Sequence, residues 1–163
     1  MTIEKKLLGT SPSGGAANVA DVFSTYLWKG NGGSQTITNG IDLAGEGGMV
    51  WIKNRTSSST HSVHDTERGV HNRLRPDTTN ASGSQDPYGV SAFNSNGFSY
   101  GSGGHNNNQT GQDYVSWTFR NSKKFFKAVT FSYGGSSSSP TIVTHDLGCT
   151  VGMTFVKQTN GTQ

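Results

Sequence analysis

Three histidines and an aspartate crowd one short stretch of the chain, at His61, His64, Asp65 and His71. Imidazole and carboxylate are ordinary ligands of transition metals, so this is the densest candidate metal site in the sequence. Its spacing argues against that chemistry. His-x-x-His along an extended strand puts the two rings on opposite faces, and no cysteine pair or carboxylate-rich motif completes a ligand set. The stretch reads as solvated strand histidines, with no metal and no other cofactor implied. Asp65 and Arg68 bracket a turn that ends at Gly69. They could clamp a polar ligand. The structural reading is favoured: the Asp side chain accepts backbone N–H bonds and Arg68 pairs with it locally.

Two further groups carry binding chemistry. Arg120, Lys123, Lys124 and Lys127 interleave with Trp117, Phe119, Phe125 and Phe126. Such a mixture can hold single-stranded nucleic acid by charge and stacking. Here a half-buried strand pair with a charged turn explains the same pattern, and nucleic acid is not expected as a partner. Aromatic rings and amides in loops suit sugar recognition, which makes Tyr88, Tyr100, His105, Asn106, Asn107, Asn108 and Tyr114 candidate glycan contacts. The alternative is that these Gly/Asn loops simply connect strands. Hydrolysis of a glycosidic bond would need two carboxylates in an aromatic-rich strand context, and none stand so. No nucleophile-elbow pattern occurs among the many serines. Gly45-Glu46-Gly47-Gly48 does not join a strand to a helix, so it is no dinucleotide site. The chain reads as a non-enzyme.

The elements that must position these residues are strands. Gly, Ser, Thr and Asn make up almost half of the 163 residues, whereas Leu occurs only six times. Such residues favour turns and strands over helix interiors. Hydrophobic content is only 30%, which would suit disorder, but eight Phe, five Tyr and three Trp fall in clusters along the chain. Disordered segments are poor in aromatics. Net charge is +3 with pI near 9.1, too mild for a dedicated nucleic-acid surface. Cys149 is alone, so no intrachain disulfide framework exists. The opening MTIEKKLLGTSPSGG lacks the apolar core of a signal peptide, and no run reaches membrane-spanning length, so synthesis and folding in a cytoplasm without membrane insertion are expected.

One stretch is used twice. YLWKGNGGSQTITNGIDLAGEGGMVWIKNRT, from Tyr26 to Thr56, is answered by FSYGGSSSSPTIVTHDLGCTVGMTFVKQTN, from Phe131 to Asn160. Thr36-Ile37 corresponds to Thr141-Ile142, Asp42-Leu43 to Asp146-Leu147, Gly48-Met49 to Gly152-Met153, Trp51-Ile52 to Phe155-Val156 and Lys53 to Lys157. The offset is constant but for a single one-residue slip. Repetition at fixed spacing marks a repeated structural unit. It divides the chain into an extended N-terminal arm (1–21), a first sandwich module (22–124) and the opening of a second, incomplete copy (125–163). The two stretches are expected to be equivalent sheet segments whose aromatics fill interiors.

Ser11-Pro12-Ser13-Gly14-Gly15 breaks any helix begun by Ile3 to Leu8. The arm is either an anchor on another subunit, through Ile3, Leu7, Leu8, Val19 and Val22, or an ordinary loose terminus. Phe23 to Trp28 alternates as a strand before the turn Gly30-Asn31-Gly32-Gly33. Met49-Val50-Trp51-Ile52 is apolar on both faces and predicts a central strand beneath a second layer. His61 to Asp65 and Gly69 to Leu74 predict a strand pair. Asn94-Ser95-Asn96-Gly97 between two apolar runs predicts a hairpin, because Asn and Gly tolerate positive φ. Gly101 to Gly111 reads as a long exposed loop. From Tyr114 to Arg120, Val115, Trp117 and Phe119 alternate with Ser116, Thr118 and Arg120. The fold class is all-β, an antiparallel sandwich or jelly roll.

The strings MTIEKKLLGTSPSGGAANVADVFSTYLWKGNG, QTITNGIDLAGEGGMVWIKNR, DTERGV, AFNSNGFSYG, VSWTFR and KKFFKAVTFSYGG together resemble a module of structural proteins from marine tailed bacteriophages, cyanophages in particular. Nearly the whole chain takes part. Trp28-Lys29, where an aromatic and then Thr or Glu is expected, and the histidines after Ser62 depart from that pattern. The resemblance implies a tail fibre or tail appendage built of tandem lectin-like or jelly-roll (concanavalin-like) sandwiches. It implies a virion location, tail adaptor, nozzle or baseplate subunits as partners, a homo-oligomer of trimeric type, and a chain continuing past Gln163. It shifts the arm towards the anchoring role. It carries over no catalytic or ligand residues. A capsid decoration or head-fibre protein, and a module reading host surface polysaccharide, are the alternatives.

Overall fold

The computed structural model describes residues 17–82, 89–101, 108–134 and 140–160. Ile3, Leu7, Leu8, Tyr88, His105, Asn106 and Asn107 lie outside the described residues. In chain order come a single helical turn α1 (Val19–Val22) and the strands β1 (Phe23–Lys29), β2 (Gln35–Thr38), β3 (Gly48–Asn54), β4 (Ser62–Asp65), β5 (Val90–Asn94), β6 (Gly97–Tyr100) and β7 (Asp113–Arg120). They form two antiparallel sheets, one ordered β1-β7-β3-β4 and the other β2-β6-β5. The protein is an all-β sandwich.

The last strand holds the larger sheet together. β7 pairs with β1 from Phe23↔Phe119 to Lys29↔Asp113 and with β3 from Gly48↔Arg120 to Asn54↔Tyr114. β1 and β3 are not neighbours; β7 lies between them. The sheet is therefore incomplete until the chain has reached residue 120. The expected hairpin forms, with Asn94 opposite Gly97. Gly97 has φ +149, and a Cβ there would stand 2.0 Å from the Ile37 carbonyl oxygen, so β2 approaches β6 only because the side chain is absent. The expected partner of β4 is reduced to one bridge, Val63↔Leu74.

Facing residues of the two sheets fill the interior. Trp28, Ile37, Ile41, Leu43, Val50, Ile52, Val90, Phe98, Tyr100 and Tyr114 form one buried cluster. The Trp28 ring stacks on Tyr114 at 5.4 Å and meets Phe98 and Tyr100 at 6.1 Å each. Aromatic contacts of this kind contribute about 0.5–1.5 kcal/mol each beyond the area they bury. Beyond Tyr114 the inward side of β7 is polar: Ser116 and Thr118 are buried, and Asn39 donates to Thr118 Oγ1 at 2.8 Å across the sandwich.

Three expectations are corrected. Val22, expected in the anchoring arm, is fully buried beside β1 and β7, so it belongs to this module's own interior and offers nothing to another subunit. Val19 is exposed. Trp51 does not fill the interior. β3 alternates strictly, with Val50 and Ile52 inward, so Met49, Trp51 and Lys53 lie on the outer side, half-buried. Last, residues 127–134 and 140–160, expected to open a second sandwich, form no strand. Phe155 is 78% exposed where Trp51 is half-buried, so the two stretches are not equivalent sheet segments here.

Candidate functional site

The histidine cluster dissolves into separate structural roles. β4 is buried along its length, so His64 is not the solvated residue the pattern suggested. Its Nδ1 lies 2.9 Å from the Val70 carbonyl oxygen, which only accepts, so that nitrogen carries the proton. Nε2 then accepts from the Ser62 hydroxyl at 3.0 Å. Both ring nitrogens are occupied. His61 faces the outer side of the sheet, where its Nδ1 accepts from Trp51 Nε1 at 2.8 Å. No group of three His, Cys, Asp or Glu among the described residues could hold a metal ion.

Asp65 and Arg68 build the turn as expected. The Arg68 backbone N–H donates to Asp65 Oδ1 at 2.9 Å and its Nε to Oδ2 at 2.7 Å. Arg68 Nη1 donates to the Asn72 carbonyl at 2.7 Å. The guanidinium is spent on the fold, and its side chain is only 9% exposed.

The glycan candidates among the described residues are interior. Tyr100 and Tyr114 are buried in the aromatic core, so neither ring presents a face to a sugar. Both stand on the inward side of their strands, packed around Trp28, which the sequence could not separate from a loop-edge position. Asn108 is buried as well, although its neighbours read as an exposed loop. Its amide donates to the Gly33 carbonyl at 2.7 Å and to Asn31 Oδ1 at 3.0 Å, and its own backbone carbonyl accepts from the Gly32 N–H at 2.7 Å. It clamps the Gly30–Gly33 turn at the end of β1. Asn108→Ala removes both amide donations and leaves the part-buried Gly33 carbonyl without its donor, at a cost of about 1–2 kcal/mol. A lower midpoint in urea unfolding with an unchanged slope is the expected readout.

Tyr114 gives a pH signature. Burial pushes its phenol above the usual value of 10.0, while hydrogen bonds from the Gln109 N–H and the Asn54 amide pull the other way. The folded state thus keeps this proton to higher pH than the unfolded chain does. Its contribution to stability is complete below pH 10 and is lost as pH rises through the raised value. Wild type should lose stability above pH 10 more steeply than Tyr114→Phe, measured by urea midpoints across that window.

What remains is the outer face of the larger sheet. Register places Phe23, Thr25 and Leu27 of β1 beside Phe119, Trp117 and Val115 of β7, and these beside Met49, Trp51 and Lys53 of β3. Trp51 and Trp117 meet edge to face at 6.3 Å, and Phe23 lies 4.9 Å from Phe119. Residues after β7 drape over this face. Phe125 and Phe126 pack on Phe119 at 6.4 and 5.3 Å, and Phe155 meets the Trp51 ring edge-on at 6.3 Å. The basic–aromatic pattern around Arg120 therefore reflects packing of one stretch on the sheet. Leu27, 58% exposed, marks the uncovered end, rimmed by the Lys29–Asp113 ion pair at 3.0 Å. Sequence reasoning missed this face because the aromatics of β3 and β7 were not assigned to a side of the sheet.

An open depression of about 350 Å³ lies between Glu67 and the draped stretch, lined by Lys127, Val129, Thr144, His145 and Asp146 among others. Its mixed charge and shallowness lack the enclosed apolar walls of small-molecule sites. No helix among the described residues is long and apolar enough to cross a membrane.

The fold and this face define an all-β sandwich module with an apolar outer surface. The chain belongs to the family described as a domain of unknown function, DUF7483, whose model matches residues 18–163. No curated protein and no solved structure matches it. The family match begins at residue 18, beside the helical turn that packs on β1 and β7.

Proposed function

We propose that this chain is a structural module of a bacteriophage virion, the virion-proximal part of a tail fibre or tail appendage that projects towards the host surface. The observation that carries the reading is where the polar chemistry goes. His64, Asp65, Arg68 and Asn108 are all committed to hydrogen bonds within the fold, whereas apolar side chains from Leu27 to Phe155 remain on the outside. That division suits a building block joined to like blocks better than a site that turns over a substrate. The internal repeat and the resemblance to tandem phage modules supply the context, and fold-level analogy supplies the trimeric assembly.

In this reading the arm attaches the module to tail adaptor, nozzle or baseplate subunits, with Val19 as its one exposed large apolar residue among those described. Deleting residues 1–16 leaves the sandwich folded and removes the protein from assembled particles. Incorporation at the wild-type level would refute attachment through the arm.

A further inference from the structure

One polar contact on the outer face of the larger sheet exists in a single protonation state. Trp51 Nε1 donates to His61 Nδ1 at 2.8 Å. An indole N–H only donates, so Nδ1 is the bare nitrogen of a neutral ring and the proton sits on Nε2. A protonated imidazole has two donors and no acceptor. It cannot receive this bond, and the half-buried indole N–H would then face another N–H.

Trp51 is also where this face is fastened. Its ring meets His61 at 5.7 Å, Trp117 at 6.3 Å and Phe155 at 6.3 Å, each edge to face. The stretch that carries Phe155 is held at two further points, both on the loop of residues 75–82. Lys157 donates to the Thr78 carbonyl at 2.8 Å, and the Ser82 N–H donates to the Thr159 carbonyl at 3.0 Å. The same loop reaches His61 itself, whose backbone N–H lies 3.2 and 3.1 Å from the two carboxylate oxygens of Asp77. His61 therefore stands between an indole that requires it neutral and a carboxylate that favours it charged. The other charges around the imidazole are accounted for. Lys53 of β3 donates to the Ser59 carbonyl, Lys157 is bonded as above, and Asp65 of β4 is paired with Arg68. Arg55 and Arg75 lie in the flanking stretches, and Asp77 is the only acidic residue in 48–61, 75–82 and 155–159.

We propose that His61 is a pH-driven latch on the outer face. Neutral, it accepts from Trp51 and fixes the indole against Phe155. Protonated, it gives up that bond and turns to the exposed Asp77 carboxylate. The freed indole no longer holds Phe155, and residues 155–159 come away from the loop. The contact is present at the alkaline end and lost on acidification between about pH 8 and pH 5, the range in which imidazoles gain their proton. This inference rests on the contacts of Trp51 and His61, not on the virion reading.

The test follows the full chain by NMR, reading the Trp51 indole N–H signal and the exchange protection of the Ser82 amide. Protection is corrected for the intrinsic pH dependence of exchange. From about pH 8 to about pH 5 the indole signal should move together with the His61 ring signals. Ser82 protection should fall by about tenfold, the effect of one hydrogen bond, while the amides of β1, β3 and β7 keep theirs. His61→Asn offers a side-chain carbonyl in place of Nδ1 that does not titrate, so Ser82 should stay protected at both ends. Trp51→Phe lacks the donor, and Ser82 should be weakly protected at both. Asp77→Asn removes the charge that receives the imidazolium and should move the transition to lower pH. Ser82 protection that is equal at both pH values in wild type would overturn the proposal. So would an acid loss that persists in His61→Asn, or a transition that Asp77→Asn leaves in place.

Discussion

Trp28→Ala unfolds the sandwich or leaves it barely stable. The ring sits at the centre of the interior, in contact with Phe98, Tyr100 and Tyr114, and only 8% of the residue is exposed. Its neighbours come from both sheets, so truncation opens a cavity between layers that neither can close alone. Removal of a large buried aromatic costs about 3–5 kcal/mol. Small domains have about 5–15 kcal/mol of net stability, so the loss takes a large share of what exists. Trp28→Phe separates volume from shape. It keeps an aromatic face for the Tyr114 stack and removes an indole N–H that is buried without a partner among the described residues. Urea unfolding should therefore rank wild type and Trp28→Phe close together, with Trp28→Ala far below.

Gly48→Ala is the second large effect, and it acts on backbone. Gly48 has φ +150, and a Cβ there would stand 2.1 Å from the Phe119 carbonyl oxygen and 2.8 Å from Leu43 Cδ2. A carbonyl inside a ladder cannot swing aside as a lysine tip would. β3 and β7 must separate at this end, and the pairing Gly48↔Arg120 and the bond from the Gly48 N–H to Thr66 Oγ1 at 2.9 Å are lost together. Strain plus lost pairing amounts to about 2–4 kcal/mol. Hydrogen exchange should show the loss concentrated at residues 48–50 and 118–120, spreading along β7 because the strand serves two neighbours.

Much of the architecture was legible because local signals and tertiary demands agree. The Asn94–Gly97 hairpin follows from residues that accept a tight turn, and Asp65 with Arg68 follows from side chains that bond their own backbone. Sidedness was not legible. Trp28 and Trp51 both stand in strands among apolar neighbours, yet one fills the interior and the other lies outside, because the pleat and the strand's place in the sheet decide the face. Asn108 differs from Asn106 and Asn107 in nothing the sequence displays, yet its side chain clamps the Gly30–Gly33 turn. Tyr100 and Tyr114 misled for the same reason: a tyrosine at the end of a strand can face either way.

The repeat was visible, but its consequence was not. Sequence similarity between Tyr26–Thr56 and Phe131–Asn160 reports a shared preference for extended structure. Pairing is a property of neighbours, and β1 and β3 owe their conformation to a strand some sixty residues beyond β3 in the chain. Non-local pairing of this kind cannot be read from the segment that receives it.

Immunogold electron microscopy of purified particles, with antibodies raised against residues 17–134, tests the functional account most directly. The account predicts label on the tail or its appendages, with the protein present in the particles by mass spectrometry. Particles that contain none of it, or label confined to the capsid surface, would contradict it.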